Sequence, residues 1–198
     1  MKKKYTGNLT SGSLLINQSI VVAGLLLNGL NEKEIKDKII EDNLFQVSSE
    51  ATTKKYLSLI FLRYKHLPTD MLNFINSGDE LLCRMTLFYC VLKTNTLIYE
   101  FFNEVIIDKV MLNDCQLKIL DWELFIENKI LTESEIAGWS KITQVNIRQV
   151  AIRIMKEAGF LENVKNPQIL FPLLPYELEE ELIKKSEHNI ISILKLER

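Results

Sequence analysis

The sequence has few of the residues from which metal centres and disulfide frameworks are built. Its 198 residues include two histidines and three cysteines. The cysteines form no CxxC pair, and neither His66 nor His188 lies at ligand spacing from Cys83, Cys90 or Cys115. We therefore predict no metal site, and the unpaired cysteines favour a reducing, cytoplasmic location.

The motifs of catalysis and nucleotide binding are also missing. The seven glycines form no Walker loop and no GxGxxG motif, and the chain contains neither GxSxG nor HExxH. The best acidic pair, Glu100 and Glu104, has the i, i+4 spacing of an exposed helix face, where solvated carboxylates are the rule. We therefore predict that the protein is not an enzyme and requires neither a cofactor nor a small-molecule substrate.

A long apolar run is absent too. The most apolar stretch is uninterrupted only from Ile20 to Leu27, whereas a membrane-spanning helix needs about 20 such residues. A basic start followed by apolar residues imitates a signal peptide, but the segment 26–29 offers no small-x-small cleavage site. The sequence predicts a buried core helix here and no membrane partner.

Positive charge is not in excess. The formal net charge of −2 excludes a general basic coat, so any nucleic-acid contact must come from a local patch. Hydrophobic content of 47% and charged content of 25% are typical of globular proteins, and the length suffices for two small domains. We place the boundary between residues 1–112 and residues 113–198.

The strongest functional signal is a pattern of two short helices and a hairpin, the order of a winged helix-turn-helix. The first helix has Thr132 as its predicted N-cap and ends near Trp139. The second spans residues 144–158, with Thr143 as its N-cap and Gly159 as its C-cap.

Two apolar runs follow the second helix. Residues 160–164 and 168–171 flank the polar segment 165–167, which predicts a small β-hairpin, the wing. Helix pairs with a tight turn are also common packing units, so the alternative is a module that docks another protein.

The second helix is the predicted DNA-binding element. Ile147, Ala151 and Ile154 share a core face at helical spacing, while the opposite face carries Val145 and Ile152 among polar residues. Those two apolar residues suit either a partner protein or thymine methyl groups. Phosphate contacts should dominate over base contacts. The residues predicted to contact DNA carry amide, hydroxyl or cationic side chains: Lys141, Thr143, Gln144, Asn146, Arg148, Gln149, Arg153, Lys156 and Lys165.

The rest of the chain is predicted to be helical, with a bundle in the N-terminal part and strands only in the wing. Residues 49–66 form a basic helix with Lys54, Lys55, Arg63 and Lys65, for which a solvated face is favoured over a second phosphate-binding surface. Residues 189–196 fit a helix better than a strand. The other predicted helices are 13–29, 31–41, 69–77, 79–92, 96–112, 114–129 and 176–186.

Four runs of residues, taken in order and spacing, resemble the BrxA family of bacteriophage exclusion (BREX) systems, and together they cover nearly the whole chain. The runs are Tyr5-Thr6-Gly7 through Gly12-Ser13-Leu14-Leu15, then Glu41-Asp42-Asn43-Leu44-Phe45, then Thr53-Lys54-Lys55 leading to Arg63-Tyr64, and Trp139-Ser140 through Ala158-Gly159-Phe160-Leu161.

The resemblance implies a cytoplasmic accessory protein of a phage-defence system. It implies an all-α fold, with a bundle similar to the antitermination factor NusB ahead of the winged helix-turn-helix, and an association with double-stranded DNA and other BREX proteins. It supplies no catalytic residues. We therefore expect a non-enzymatic double-stranded DNA-binding protein. The alternatives are a protein-docking scaffold of the defence complex and RNA binding by the NusB-like bundle.

Overall fold

Regular structure in this protein is helical. The computed structural model describes Tyr5 and residues 12–65 and 67–197. Their elements confirm the predicted all-α class, and a π-helical turn, Phe102–Ile106, joins two of the helices. The helices are α1 (Ile16–Leu27), α2 (Glu32–Glu41), α3 (Glu50–Tyr64), α4 (Thr69–Ile75), α5 (Glu80–Thr94), α6 (Thr96–Phe101), α7 (Ile107–Met111), α8 (Ile119–Thr132), α9 (Ser134–Ala137), α10 (Lys141–Glu157), α11 (Tyr176–Lys184) and α12 (His188–Lys195).

Helix α5 is the centre of the molecule because its residues are apolar on nearly every face. It packs against α1, α3, α4 and α6, and also against the C-terminal helices α11 and α12. The Phe88 ring lies 4.9 Å from the rings of both Phe102 and Phe160, so one aromatic cluster joins the predicted N-terminal and C-terminal parts of the chain. Residues 188–195 form a helix, as predicted.

Helix starts follow the local capping chemistry. Asn31 and Glu34 form the capping box that opens α2, and the Asp79 carboxylate accepts a hydrogen bond from the Leu82 amide at the start of α5. Helix α1 begins at Ile16, three residues later than predicted, because Leu15 has a left-handed backbone with φ of 59°.

Arg63 is not on a solvated basic face. Its guanidinium is buried and donates hydrogen bonds of 2.9 Å to the carbonyl oxygens of Leu14 and Ser13. Burial lowers the pKa of Arg63 to about 10. The prediction was wrong at this position because periodicity shows which side chains share a face, but not which backbone carbonyls that face meets. His66, at the predicted end of α3, lies outside the described residues.

The predicted helix 114–129 begins five residues late, because residues 115–117 are extended and pair with the hairpin segment. The Leu117 amide donates to the Pro167 carbonyl at 2.9 Å, and the Ile169 amide donates to the Cys115 carbonyl at 2.8 Å. Gln116 and Gln168 form an isolated antiparallel bridge. If residues 115–117 were helical, they could not form those hydrogen bonds with residues 167–169.

No single helix of the described residues is both long and apolar enough to cross a bilayer. The stretch from Glu80 to Met111 has the length and composition of a span, but its two halves meet at 105°.

Candidate nucleic-acid interface

The helix pair that contains most of the predicted DNA-binding residues is present, but both of its N-caps differ from the predicted ones. Thr132 is not an N-cap, since it is the last residue of α8. Its hydroxyl lies 3.4 Å from the carbonyl oxygens of Asn128 and Lys129, in the final turn of its own helix. The short helix α9 starts at Ser134 instead.

Helix α10 begins at Lys141, three residues before the predicted start. Its N-cap is Ser140, whose hydroxyl oxygen accepts a hydrogen bond of 3.1 Å from the Thr143 amide, so the prediction of Thr143 as the cap was wrong. Thr143 sits inside the first turn, and its own hydroxyl lies 2.9 Å from that of Ser140. The predicted positive φ at Gly159 is confirmed at 92°, but the C-cap itself is Ala158, one residue earlier.

The two faces of α10 have the predicted polarity. Ile147, Ala151 and Ile154 are fully buried. Of the predicted DNA-binding residues on this helix, Thr143, Gln144 and Arg148 are half-buried, and the Gln144 amide donates to the Trp139 carbonyl at 3.2 Å. The others are exposed: Lys141, Asn146, Gln149, Arg153 and Lys156.

Trp139, which precedes α10, is half-buried rather than enclosed between the helix pair and the bundle. It packs against the hydrophobic core from its edge.

The segment after α10 folds back on itself around the predicted turn. Leu161 and Ile169 form an isolated antiparallel bridge, and the Leu170 amide donates to the Phe160 carbonyl at 2.9 Å. The Asn163 side chain orders the turn by accepting hydrogen bonds from the amides of Lys165 and Asn166. Lys165 is therefore held at an exposed tip. Neither apolar run extends into a strand within the described part of the chain.

A cleft of about 700 Å³ lies between the middle of α10, the turn 163–167 and the start of α8. It brings together four of the predicted DNA-binding residues, namely Arg148, Gln149, Arg153 and Lys165. The remaining five lie elsewhere along α10. Lys118, which the sequence analysis did not select, joins the cleft, so that four cations and no carboxylate line it.

Sequence reasoning missed Lys118 because it was placed inside a predicted helix. The signal lies in the long-range pairing of residues 115–117 with 167–169, which brings the start of α8 beside the turn. Sequence periodicity carries no information on that pairing.

Arg148 is not a free surface cation. Its guanidinium lies 3.6 Å from the Glu123 carboxylate on α8, and its side chain is 21% exposed. A salt bridge of this kind reduces the charge that Arg148 presents to an anion, although the pair is loose and partly solvated. Lys118, Arg153 and Lys165 are the more available cations of the cleft.

The inner wall of the cleft is apolar. Trp122 is 3% exposed and packs on the rings of Phe101 and Phe125, with centroid distances of 4.7 and 5.8 Å. Leu117 is buried beside it, while Ile152 is half-buried. Among the described residues, no acceptor hydrogen-bonds the indole nitrogen of Trp122.

Several known proteins are similar to this chain. The family model BrxA matches residues 3–186. A BREX protein BrxA of Bacillus cereus (strain H3081.97) is 35% identical over 179 residues, which is 90% of each chain. A BREX protein BrxA of Escherichia coli O9:H4 (strain HS) is 25% identical over 196 residues, which covers 99% of this chain and 92% of that one.

A solved structure shares the fold. The crystal structure of an uncharacterized protein from Magnetospirillum magneticum has a TM-score of 0.87 and 21% identity, and the match covers 98% of this chain and all of that one. At this identity the likeness concerns the fold alone. The family match spans nearly the whole sequence, and the Bacillus cereus relative matches over the same length. The chain therefore belongs to the BrxA family.

Proposed function

We propose that this protein binds double-stranded DNA as a non-enzymatic accessory component of a BREX phage-defence system. The names of its relatives support the place in a BREX system. The observation that carries DNA binding is the cleft lined by four cations and no carboxylate, next to the exposed cations of α10. In a chain whose net charge is −2, such a concentration of positive charge favours a polyanion as ligand.

Helix α10 is the element that approaches the duplex in this proposal. The order of α8, α9, α10 and the paired segment 160–170 supports a winged helix-turn-helix with Lys165 at the tip of the wing. In this proposal cations contact phosphates and set the register, while the amides of Asn146 and Gln149, which are exposed, contact base edges. Ile142 and Val145, which are exposed on the same helix, then contact thymine methyl groups.

The salt dependence of binding tests the proposal. If Lys141, Arg153, Lys156 and Lys165 each neutralise a phosphate, the log–log slope of affinity against salt should be about −4, from roughly −0.9 per contact. The double variant Arg153→Ala with Lys165→Ala should reduce that slope by about two units and weaken binding to all duplex sequences. The measurement is a fluorescence-anisotropy titration of a labelled duplex at several salt concentrations.

The matched control is Lys33→Ala with Lys36→Ala, which removes two exposed cations from α2. Single-stranded DNA and RNA of the same length serve as competitors, because the bundle is the proposed site in the RNA-binding alternative. Equal affinity of the wild type and the Arg153/Lys165 variant for the duplex would overturn the proposal.

A further inference from the structure

The apolar wall of the cleft has no role in a phosphate contact. Phosphates need cations and amides, yet Leu117, Trp122 and Ile152 line the space between the cations, and Ile119 and Val164 stand half exposed at its edges. An occupant that suits both features carries apolar side chains flanked by carboxylates.

The outward face of α11 on this same chain has that chemistry. Tyr176, Glu180 and Ile183 share one side of the helix at i, i+4 and i+7 spacing, and Tyr176 is 69% exposed. The exposed Glu177 lies next to them. Leu173, just before the helix, is 80% exposed. Exposed apolar residues grouped in this way mark an interaction surface.

We propose that the cleft of one molecule receives the outward face of α11 from a second copy of this chain. Tyr176 and Ile183 pack on the apolar wall, and Glu177 and Glu180 face the cationic rim that includes Lys118 and Lys165. No cation among the described residues forms a salt bridge with either glutamate, whereas Glu179 and Glu181 are paired with Lys195 and Lys184. Glu177 and Glu180, on the outward side, are therefore without a salt bridge, and Glu180 accepts a hydrogen bond of 2.6 Å from the Tyr176 hydroxyl within the same face.

Docking of this kind is head to tail. The inward residues of α11, Leu178 and Leu182, are fully buried in their own molecule, so only the outward face is free. The cleft and the α11 face are different surfaces, and each molecule offers one of each. Their contact is heterologous, which builds a closed ring or an open chain of copies.

Charge reversal on each surface tests the proposal. Wild-type protein should self-associate with rising concentration in sedimentation velocity experiments. Lys118→Glu with Lys165→Glu, and separately Glu177→Lys with Glu180→Lys, should each weaken association at least tenfold, because like charges then face each other. All four side chains are exposed, and circular dichroism melting curves verify that the variants fold.

The decisive arm mixes the two reversed variants. An acidic cleft then meets a basic α11, and a basic cleft meets an acidic α11, so the mixture should associate although neither variant does so alone. The control, Lys33→Glu with Lys36→Glu on α2, should associate like the wild type. A wild type that stays monomeric, reversed variants that associate normally, or a mixture of folded variants that fails to associate would each overturn the proposal.

A second readout rests on the proposed DNA binding. Gln149, Arg153 and Lys165 belong both to the cleft and to the proposed DNA-binding surface, so an excess of duplex DNA should return the assembly to DNA-bound single copies. Assemblies that bind DNA without dissociating would show that the copies meet elsewhere. If no DNA binds, the function proposed above fails, while the charge-reversal experiment still decides self-association.

Discussion

The Glu100 carboxylate lies in the core, although its spacing with Glu104 predicted a solvated face. It is 4% exposed, accepts a hydrogen bond of 2.8 Å from the Tyr5 hydroxyl, and lies 2.9 Å from the Lys129 ammonium. Lys129 also contacts Glu104 at 2.7 Å. A buried carboxylate is tolerated when its charge is paired and its lone pairs are hydrogen-bonded, and Glu100 meets both conditions.

These contacts set the protonation of Lys129. Burial alone would lower the pKa of Lys129, but hydrogen bonds to Glu104 and Glu100, together with their charges, raise it above the ordinary value of 10.5. Because the pKa of Lys129 is higher in the folded protein than in the unfolded chain, its ion pairs contribute their full stabilisation at any pH below 10.5. It is lost as the pH rises through the higher folded value, so the pair is fully effective at neutral pH.

Replacing Lys129 by methionine should destabilise the protein strongly. Lys129→Met fills similar volume but leaves the Glu100 carboxylate buried without its cation, which costs about 3 kcal/mol. The free energy of unfolding, measured by urea denaturation at pH 7, gives the loss. Combining Lys129→Met with Glu100→Gln removes the orphaned charge and should recover part of it. A single variant as stable as the wild type would mean that water reaches Glu100.

Helical periodicity predicted most of the helices, but it did not predict that the charged residues Glu100 and Arg63 are buried. Leu97 and Phe101 are buried at helical spacing in the predicted helix 96–112, but helical spacing gives no information on Lys129, the cation that α8 brings to Glu100. Likewise, the basic pattern of α3 gave no hint that the chain before α1 would bring two carbonyls to Arg63. Arg63 and Glu100 are buried because their partners, which are distant in sequence, neutralise or hydrogen-bond them. A single sequence does not show which distant residues lie close together in the fold.

Helix boundaries around α9 and α10 show a similar limit. Threonine, like serine, is a favoured N-cap residue, and the modest preference for serine does not choose between neighbouring hydroxyls. The structure selects Ser140, because the chain turns there with an extended backbone of φ −64° and ψ 156°. The candidate site shifts accordingly, and Lys141 belongs to the first turn of the helix.

The identity of the cap is testable by a pair of substitutions. Ser140→Ala should lower the free energy of unfolding by about 1 kcal/mol, because the Thr143 amide loses its acceptor. Thr143→Ala keeps that acceptor and removes only a hydroxyl contact, so its effect should be clearly smaller. Chemical denaturation of both variants provides the comparison. A larger loss for Thr143→Ala would reverse the assignment and restore Thr143 as the cap.

The hairpin segment illustrates what local sequence does and does not determine. Turn residues around Lys165 correctly predicted a reversal of the chain, since Asn163 is well suited to order it. The partner segment was not predicted, because residues 115–117 precede the hairpin by some fifty positions and their short alternation of apolar and polar residues was assigned to the start of a helix. The cleft depends on that partner segment, and so only part of its lining could be predicted from the sequence.

The start of the chain connects the helix pair to the bundle. The Tyr5 amide donates to the Glu135 carboxylate on α9 at 2.7 Å, while its hydroxyl reaches Glu100 on α6. The Leu14 amide donates to the Glu157 carboxylate on α10, also at 2.7 Å. Residues from the predicted N-terminal part thus hold both α9 and α10 of the predicted C-terminal part. The proposed DNA-binding helix is therefore held in part by residues that precede α1.

Glu157 provides a way to measure how strongly that connection couples the two ends of the chain. Leu14 is fully buried, so Glu157→Ala leaves its amide without an acceptor, which should lower the free energy of unfolding by about 1 to 3 kcal/mol. Glu157→Gln retains an acceptor oxygen and should lose less, and Glu177→Ala, at an exposed position, should be close to neutral.

Hydrogen exchange then shows which helices become less stable in Glu157→Ala. Amides of residues 14–16 and of α10 should lose protection together in Glu157→Ala, while those of α5 keep theirs under native conditions, because α5 is held by contacts on all its sides. Thermal unfolding should remain a single transition, since α11, α12 and Phe160 still pack on the N-terminal bundle. Protection lost in α10 alone would contradict a coupling through Leu14. Two separate transitions would instead show that residues 1–112 and 113–198 unfold independently.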